Sequence, residues 1–168
     1  MRSFQISAVF PHLSVRENVR VALQHKLANS FHFWRSGRVL DGLDAPAEVL
    51  LDAVGLSGFG DELASELAYG RKRALEIATT LALDPEMLLL DEPMAGLGQE
   101  EIGRISALIR KVSADRTILM VEHNLSVVAD LSHTITVLTR GRILTEGEYA
   151  AVSKDPEVVE AYLGTGHA

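Results

Sequence analysis

The chain has 168 residues, no cysteine, 47% hydrophobic residues and a net charge of −7. This length predicts one domain with enough apolar content for a core. The acidic balance argues against a nucleic-acid-binding face. The lack of cysteine excludes disulfides and thiolate metal sites, and suits a cytosolic protein.

In chain order, the opening MRSFQISAVFPHL is a poor match to a secretory leader. No apolar run approaches the roughly 20 residues that a membrane-spanning helix needs. Ser14 and Glu17 have capping-box spacing, and Val15, Val19, Ala22, Leu23 and Leu27 follow a helical period. The stretch FHFWRSGRVLDGLD is ambiguous, and its glycines suggest a loop. Pro46 fits the first turn of a second helix, APAEVLLDAV, and Gly55 fits its end. RKRALEIATTLAL predicts a third helix, stopped at Asp84-Pro85 because a residue before proline avoids helical geometry.

The second half changes rhythm. An apolar strand, Met87 to Leu90, is followed by a helix carrying Ile102, Ile105, Ile109 and Val112 on one face. A second apolar strand, TILMV, and a short helix, LSVVADL, come next. TITVLT and RILTEG read as paired strands around an Arg140-Gly141 turn, and DPEVVEAYL as a last helix. Apolar strands alternating with helices predict a parallel sheet covered on both faces, with ligands at the carboxyl ends of the strands. Asp91-Glu92 and Glu122-His123 both fall at such ends.

A carboxylate leaving a buried strand is costly to desolvate unless a cation faces it. Mg²⁺ held with a nucleotide phosphate would do so, and the adjacent carboxylate could activate a water for attack on that phosphate. Taken alone, Asp91-Glu92 reads more readily as a solvated helix cap, and His123 as a surface or helix-capping histidine. Gly70 permits close backbone approach, and the helix after it presents N–H groups toward an anion. Arg71, Lys72 and Arg73 oppose that helix's dipole, a conflict an anionic ligand would relieve. A solvated basic patch is the simpler reading of Lys72 and Arg73.

Together, LAYGRKRALEIATTLALDPEMLLLDEP, the D-loop segment Ala95 to Gly98, MVEHN and the early FQISAVFPHLSVRENV resemble the ATP-binding cassette (ABC) ATPases. YGRKRALEIA, DEPMAGL and DPEVVEAYLG are similar to the ATP-binding subunits of branched-chain amino-acid importers. DNA-repair ATPases share these motifs but separate them with long coiled coils, which the short spacing here lacks.

The resemblance implies a partial P-loop NTPase of α/β class, with a mostly parallel sheet and a helical signature subdomain. It divides 1–168, a single incomplete domain, into a helical part (about 10–83), a core part (about 84–150) and a C-terminal helix (151–168). It implies ATP and Mg²⁺ as ligands. Asp91 would hold the metal through water, Glu92 would polarise the attacking water, and His123 would contact the γ-phosphate. Gln5 would reach metal and water. Leu67, Ala68, Tyr69, Gly70 and Arg71 would clasp ATP held by a second ABC ATPase subunit in a head-to-tail dimer. Transmembrane permease subunits would be the other partners, at the inner face of the cell membrane, with no nucleic acid involved.

The chain departs from the family pattern in three places. None of its 13 glycines is followed by lysine, so it carries no G-x-x-x-x-G-K-[ST] phosphate loop. About the first third of the family's domain is therefore expected to be missing. The chain alone is expected to be inactive, or else to be a remnant that binds a transporter subunit or an intact ATPase. Ala68 stands where the family has serine, removing a hydroxyl donor to the γ-phosphate worth about 1 kcal/mol. Gly98 replaces the usual Asp or Asn of the D-loop. Loss of sheet members is expected to leave an open parallel edge, and the helical half, Ser14 to Ala82, to fold better than the rest.

Overall fold

The structure, a computed structural model, describes residues 9–26 and 42–163. Gln5, Leu27 and the ambiguous stretch from Phe31 to Asp41 lie outside them. The chain divides into two units, Met1–Val121 and Glu122–Ala168.

The first unit opens with three mutually packed helices: α1 (Val15–Leu23), α2 (Asp44–Ala53) and α3 (Tyr69–Ala82). The predicted capping box is present. Glu17 N–H donates to Ser14 Oγ, and Ser14 N–H donates to the Glu17 carboxylate at 2.7 Å. The next orphan donors of this helix start, the N–H groups of Val15 and Arg16, find the carbonyls of Glu62 and Gly60 at 2.9 Å. Asn18 is buried yet satisfied: its side chain accepts from Phe10 N–H and donates to the carbonyls of Phe10 and Ser14. Val15, Val19, Leu51 and Leu75 of these helices are fully buried. At the rim, ion pairs join Arg16 to Glu48 and Asp61. The hydrogen bond that Arg16 donates to Glu48 is the main reason its guanidinium is held above its usual pKa, against a smaller desolvation cost.

α3 starts two residues before the predicted RKRALEIATTLAL, so Gly70 lies inside its first turn. It ends where expected, and Asp84 turns left-handed ahead of Pro85. β1 (Met87–Asp91) follows, then α4 (Gln99–Val112) and β2 (Thr117–Val121). The strands pair in parallel, Leu88 opposite Ile118 and Asp91 opposite Val121.

The expectation of cover on both sheet faces is not met. Leu88 is buried and shares a face with Leu90, Ile118 and Met120. Met87, Leu89, Leu119 and Val121 point the other way and are 41–59% exposed. Strand residues alternate between faces, so burying both faces requires a layer on each side. Among the described residues, cover reaches one. The sheet is two-stranded there, which leaves the outer edge of each strand without a β partner.

The second unit holds α5 (Leu125–Leu131), an antiparallel hairpin of β3 (Ile135–Thr139) and β4 (Arg142–Gly147), and the short helices α6 (Tyr149–Val152) and α7 (Pro156–Leu163). Arg140 and Gly141 both have positive φ, as a two-residue turn matched to strand twist requires. α6 was not expected: four residues are too few to show a helical period. Both α6 and α7 pack on β4.

Leu75 is fully buried among the helices, whereas Leu119 is 59% exposed on the open sheet face. Leu75→Ala is expected to cost about 2–5 kcal/mol, and Leu119→Thr less than about 1 kcal/mol. Urea denaturation of each variant checks this.

Candidate functional site

The site is built where β1 ends. Asp91 is the last ladder residue, and it is exposed. Glu92 follows with φ +43°, a left-handed conformation that costs a non-glycine residue about 1–2 kcal/mol. The backbone secures it: Glu92 N–H donates to the Val121 carbonyl at 2.9 Å, and its own carbonyl accepts from Ala95 N–H at 3.1 Å. Pro93 and Met94 are buried behind it. The chain reverses at Gly96, φ +75°, where an added Cβ would lie 3.4 Å from the Tyr69 ring.

α3 brings the second group of residues. Its N-cap is Ala68, which has no side-chain oxygen to offer the first turn. Gly70 N–H donates instead to Glu101 Oε1 at 3.1 Å, and the other oxygen of the same carboxylate accepts from Gly98 N–H at 3.1 Å. One carboxylate thus serves the N-terminal turns of α3 and α4, and its charge favours both helix dipoles. Glycine at 70 makes room for it, since a Cβ there would fall 2.8 Å from the Glu101 carboxyl carbon. Beside this junction opens a cavity of about 180 Å³ walled by Ala68, Gly70, Arg71, Glu101 and Arg104. It is smaller than pockets that enclose a drug-sized ligand, about 300–1,000 Å³.

The three cations that follow Gly70 all engage the protein. Arg71 stacks over Phe59, 3.9 Å from the ring centroid, and Lys72 donates to the Ser65 carbonyl at 2.9 Å. Arg73 turns toward the exit of β1 and donates to the carbonyls of Asp91, Glu92 and Pro93. The Glu101 carboxylate at the start of α3 offsets part of the predicted conflict with that helix's dipole.

His123 lies in the second unit. Its ring is 71% exposed, and Nδ1 is 4.0 Å from the Glu122 carboxylate. That carboxylate accepts from the N–H groups of His123 and Asn124, at 2.8 and 3.0 Å. Asn124 in turn caps α5 through Ser126 N–H and Val127 N–H. The His123 backbone is thereby set by local side-chain bonds.

Two comparisons decide the family. A sequence profile described as "ABC transporter" matches residues 2–95, more than half of the chain. The high-affinity branched-chain amino acid transport ATP-binding protein BraF of Pseudomonas aeruginosa is 34% identical, across 98% of this chain and 67% of that protein. The chain belongs to the ABC transporter family of ATP-binding cassettes.

A further profile, "Branched-chain amino acid ATP-binding cassette transporter", matches residues 142–168. The high-affinity branched-chain amino acid transport ATP-binding protein LivG of Escherichia coli K12 is 35% identical, again across 98% of this chain and 67% of that protein. The ADP conformation of MJ1267, an ATP-binding cassette of an ABC transporter, superposes with a TM-score of 0.72 at 26% identity. That match covers 92% of this chain but 64% of MJ1267, under two thirds of its length.

Within the first unit the structure brings Tyr69, in the segment Leu67 to Arg71 that was expected to be the signature, beside Gly96 of the segment Asp91–Gly98. Buried Leu67 anchors the loop, while Ala68 and Tyr69 are exposed. His123 belongs to the other unit, and Gln5 lies outside the described residues. Sequence reasoning missed Glu101. Its bond to Gly98 was legible as the return arm of a capping box, three residues on, but its bond to Gly70 spans 31 positions and left no local sign.

Gly70→Ala is expected to destabilise the protein by about 1–3 kcal/mol through overpacking against Glu101. In a Glu101→Ala background the same change should cost less, with a coupling of at least about 0.5 kcal/mol. A double-mutant cycle by urea denaturation measures it.

Proposed function

We propose that the chain provides the signature segment (Leu67 to Arg71), the Asp91-Glu92 carboxylate pair and His123 of the ATP-binding subunit of an importer, with branched-chain amino acids as the solute class. The observation that carries this reading is the seating of Asp91-Glu92 at the end of β1, tied by hydrogen bonds to the signature helix α3. The names of BraF and LivG and the profile match at 142–168 support the solute class. The division into a helical part, a core part and a C-terminal helix belongs to the same proposal.

The donors present fit Mg²⁺ and a nucleotide. Asp91 offers hard carboxylate oxygens in an exposed position, and among the described residues no cluster of three His, Asp or Glu forms a dedicated cage. That suits an ion held by one or two carboxylates together with phosphates. Mg²⁺ supplies neutralisation of phosphate charge when bound. Glu92 would accept a hydrogen bond from the attacking water and orient it. His123 would donate to a γ-phosphate oxygen, and Gln5 would contact the same water.

The chain has no Gly-Lys step, so residues other than these 168 would have to cradle the phosphates. In a head-to-tail dimer its signature loop, Leu67 to Arg71, serves ATP held by the second subunit. The permease subunits would hold this dimer at the inner face of the cell membrane. Among the described residues no helix is long and apolar enough to cross that membrane. The alternative is a catalytically idle chain that only binds a transporter subunit or an intact ATPase; the missing Gly-Lys step favours it.

Calorimetry on the 168-residue chain alone is expected to show no saturable Mg-ATP binding at millimolar concentration. Added to an ABC ATPase subunit with its own phosphate loop, the chain should raise ATP turnover. Gly70→Asp sets a second carboxylate against Glu101 in the loop that would face the phosphates, and should cut the stimulated rate about 100-fold, the scale of one lost electrostatic contact to a transition state. A chain that leaves partner turnover unchanged at every ratio would support the idle reading. Saturable binding to the chain alone, tightened by Glu92→Gln, would overturn the division of labour.

A further inference from the structure

We infer that Arg73 is a positioning residue for Glu92, holding the backbone that aims its carboxylate. This rests on the reading of Glu92 as the group that orients the attacking water. Past the end of a strand, carbonyls lose their ladder partners and need other donors. The problem is acute after β1, because Glu92 turns left-handed and Pro93 brings no N–H of its own.

One guanidinium meets the need. Arg73 Nη2 donates to the Asp91 carbonyl at 2.9 Å and to the Glu92 carbonyl at 3.3 Å, and Nε donates to the Pro93 carbonyl at 3.3 Å. Nη1 donates to Glu76 at 2.7 Å, one turn along the same helix, which fixes the plane of the fork. The Arg73 side chain is 20% exposed, so these bonds form largely out of water. A planar group with five donors can meet three successive carbonyls and a carboxylate at once; an ammonium, with three donors on one nitrogen, cannot.

A left-handed non-glycine residue persists only where its surroundings over-determine it. Without Arg73, Glu92 keeps its N–H bond to Val121 but loses a donor on its own carbonyl and on each neighbouring one. Relaxing φ to a negative value would then swing the side chain away from its present direction. Arg73 sits in the first turns of the signature helix, so a displacement of that helix is carried directly to the Glu92 backbone.

Hydrogen exchange on the full chain tests this without requiring activity. In Arg73→Gln, the amides of Glu92 and Ala95 should exchange at least tenfold faster, while amides within α3, such as Ala78, stay unchanged. Arg73→Lys should fall between the two, and it serves as the main variant if Arg73→Gln does not fold. Unchanged exchange at Glu92 and Ala95, or equal acceleration inside α3, would overturn the proposal. In the assembled ATPase, Arg73→Lys should lower kcat about tenfold and leave KM for ATP unaltered; a change in KM alone would also overturn it. If the wild-type assembly turns over no ATP, the proposed function fails, and the exchange result still decides the role of Arg73.

Discussion

Every secondary-structure element ends in backbone groups that its own ladder cannot satisfy, and burying such a group unpaired costs about 1–3 kcal/mol. In the first unit, three such ends are brought to one place. The first turn of α3 has amide donors to spare, the first turn of α4 has the same, and the exit of β1 has carbonyls to spare. Glu101 satisfies the first two and Arg73 the third. The helix α3 is tied to both neighbours: a shift of it would release Gly70 N–H from Glu101 of α4 and Arg73 from the carbonyls at the exit of β1.

That economy bears on the identity of the small residues. Gly70 leaves room for the Glu101 carboxylate, and Gly96 is favoured by its positive φ. Ala68 and Gly98, which depart from the family's serine and its Asp or Asn, sit at the two N-caps concerned. Neither can cap its helix with a side chain. The Glu101 carboxylate, three residues into α4, accepts the Gly70 N–H that a capping side chain at 68 would otherwise take, and makes the return bond to Gly98 N–H. The two departures are therefore structurally compatible with each other, whatever they mean for contacts across a dimer.

Much of this was legible in the sequence, for local reasons. The capping box at Ser14 and Glu17, the stop at Asp84-Pro85 and the Arg140-Gly141 hairpin each depend on residues within three or four positions of one another. β1 and β2 could be read from unbroken apolar runs. The start of α3 was misplaced because Tyr69 and Gly70 carry no start signal; what licenses a helix there is Glu101, far along the chain. Arg73 was read as one cation in a solvated patch for the same reason. Its partners at 91–93 are 18 to 20 positions away, and charge alone gives no direction to a side chain.

The open sheet face shows the limit of composition arguments from the other side. An all-apolar strand such as TILMV reads as buried on both faces, because a long run without polar residues is costly to leave in water. Here Leu119 and Val121 are both exposed, as are Met87 and Leu89 across the ladder. The run records the environment to which these strands are suited, whereas the burial records which layers the described residues supply. The Asp91-Glu92 exit does not depend on the open face for its shape. Its bonds run to α3, within its own turn, and across the ladder to Val121. The backbone bonds described around Glu92 lie within the first unit, even where the sheet that carries it is not covered.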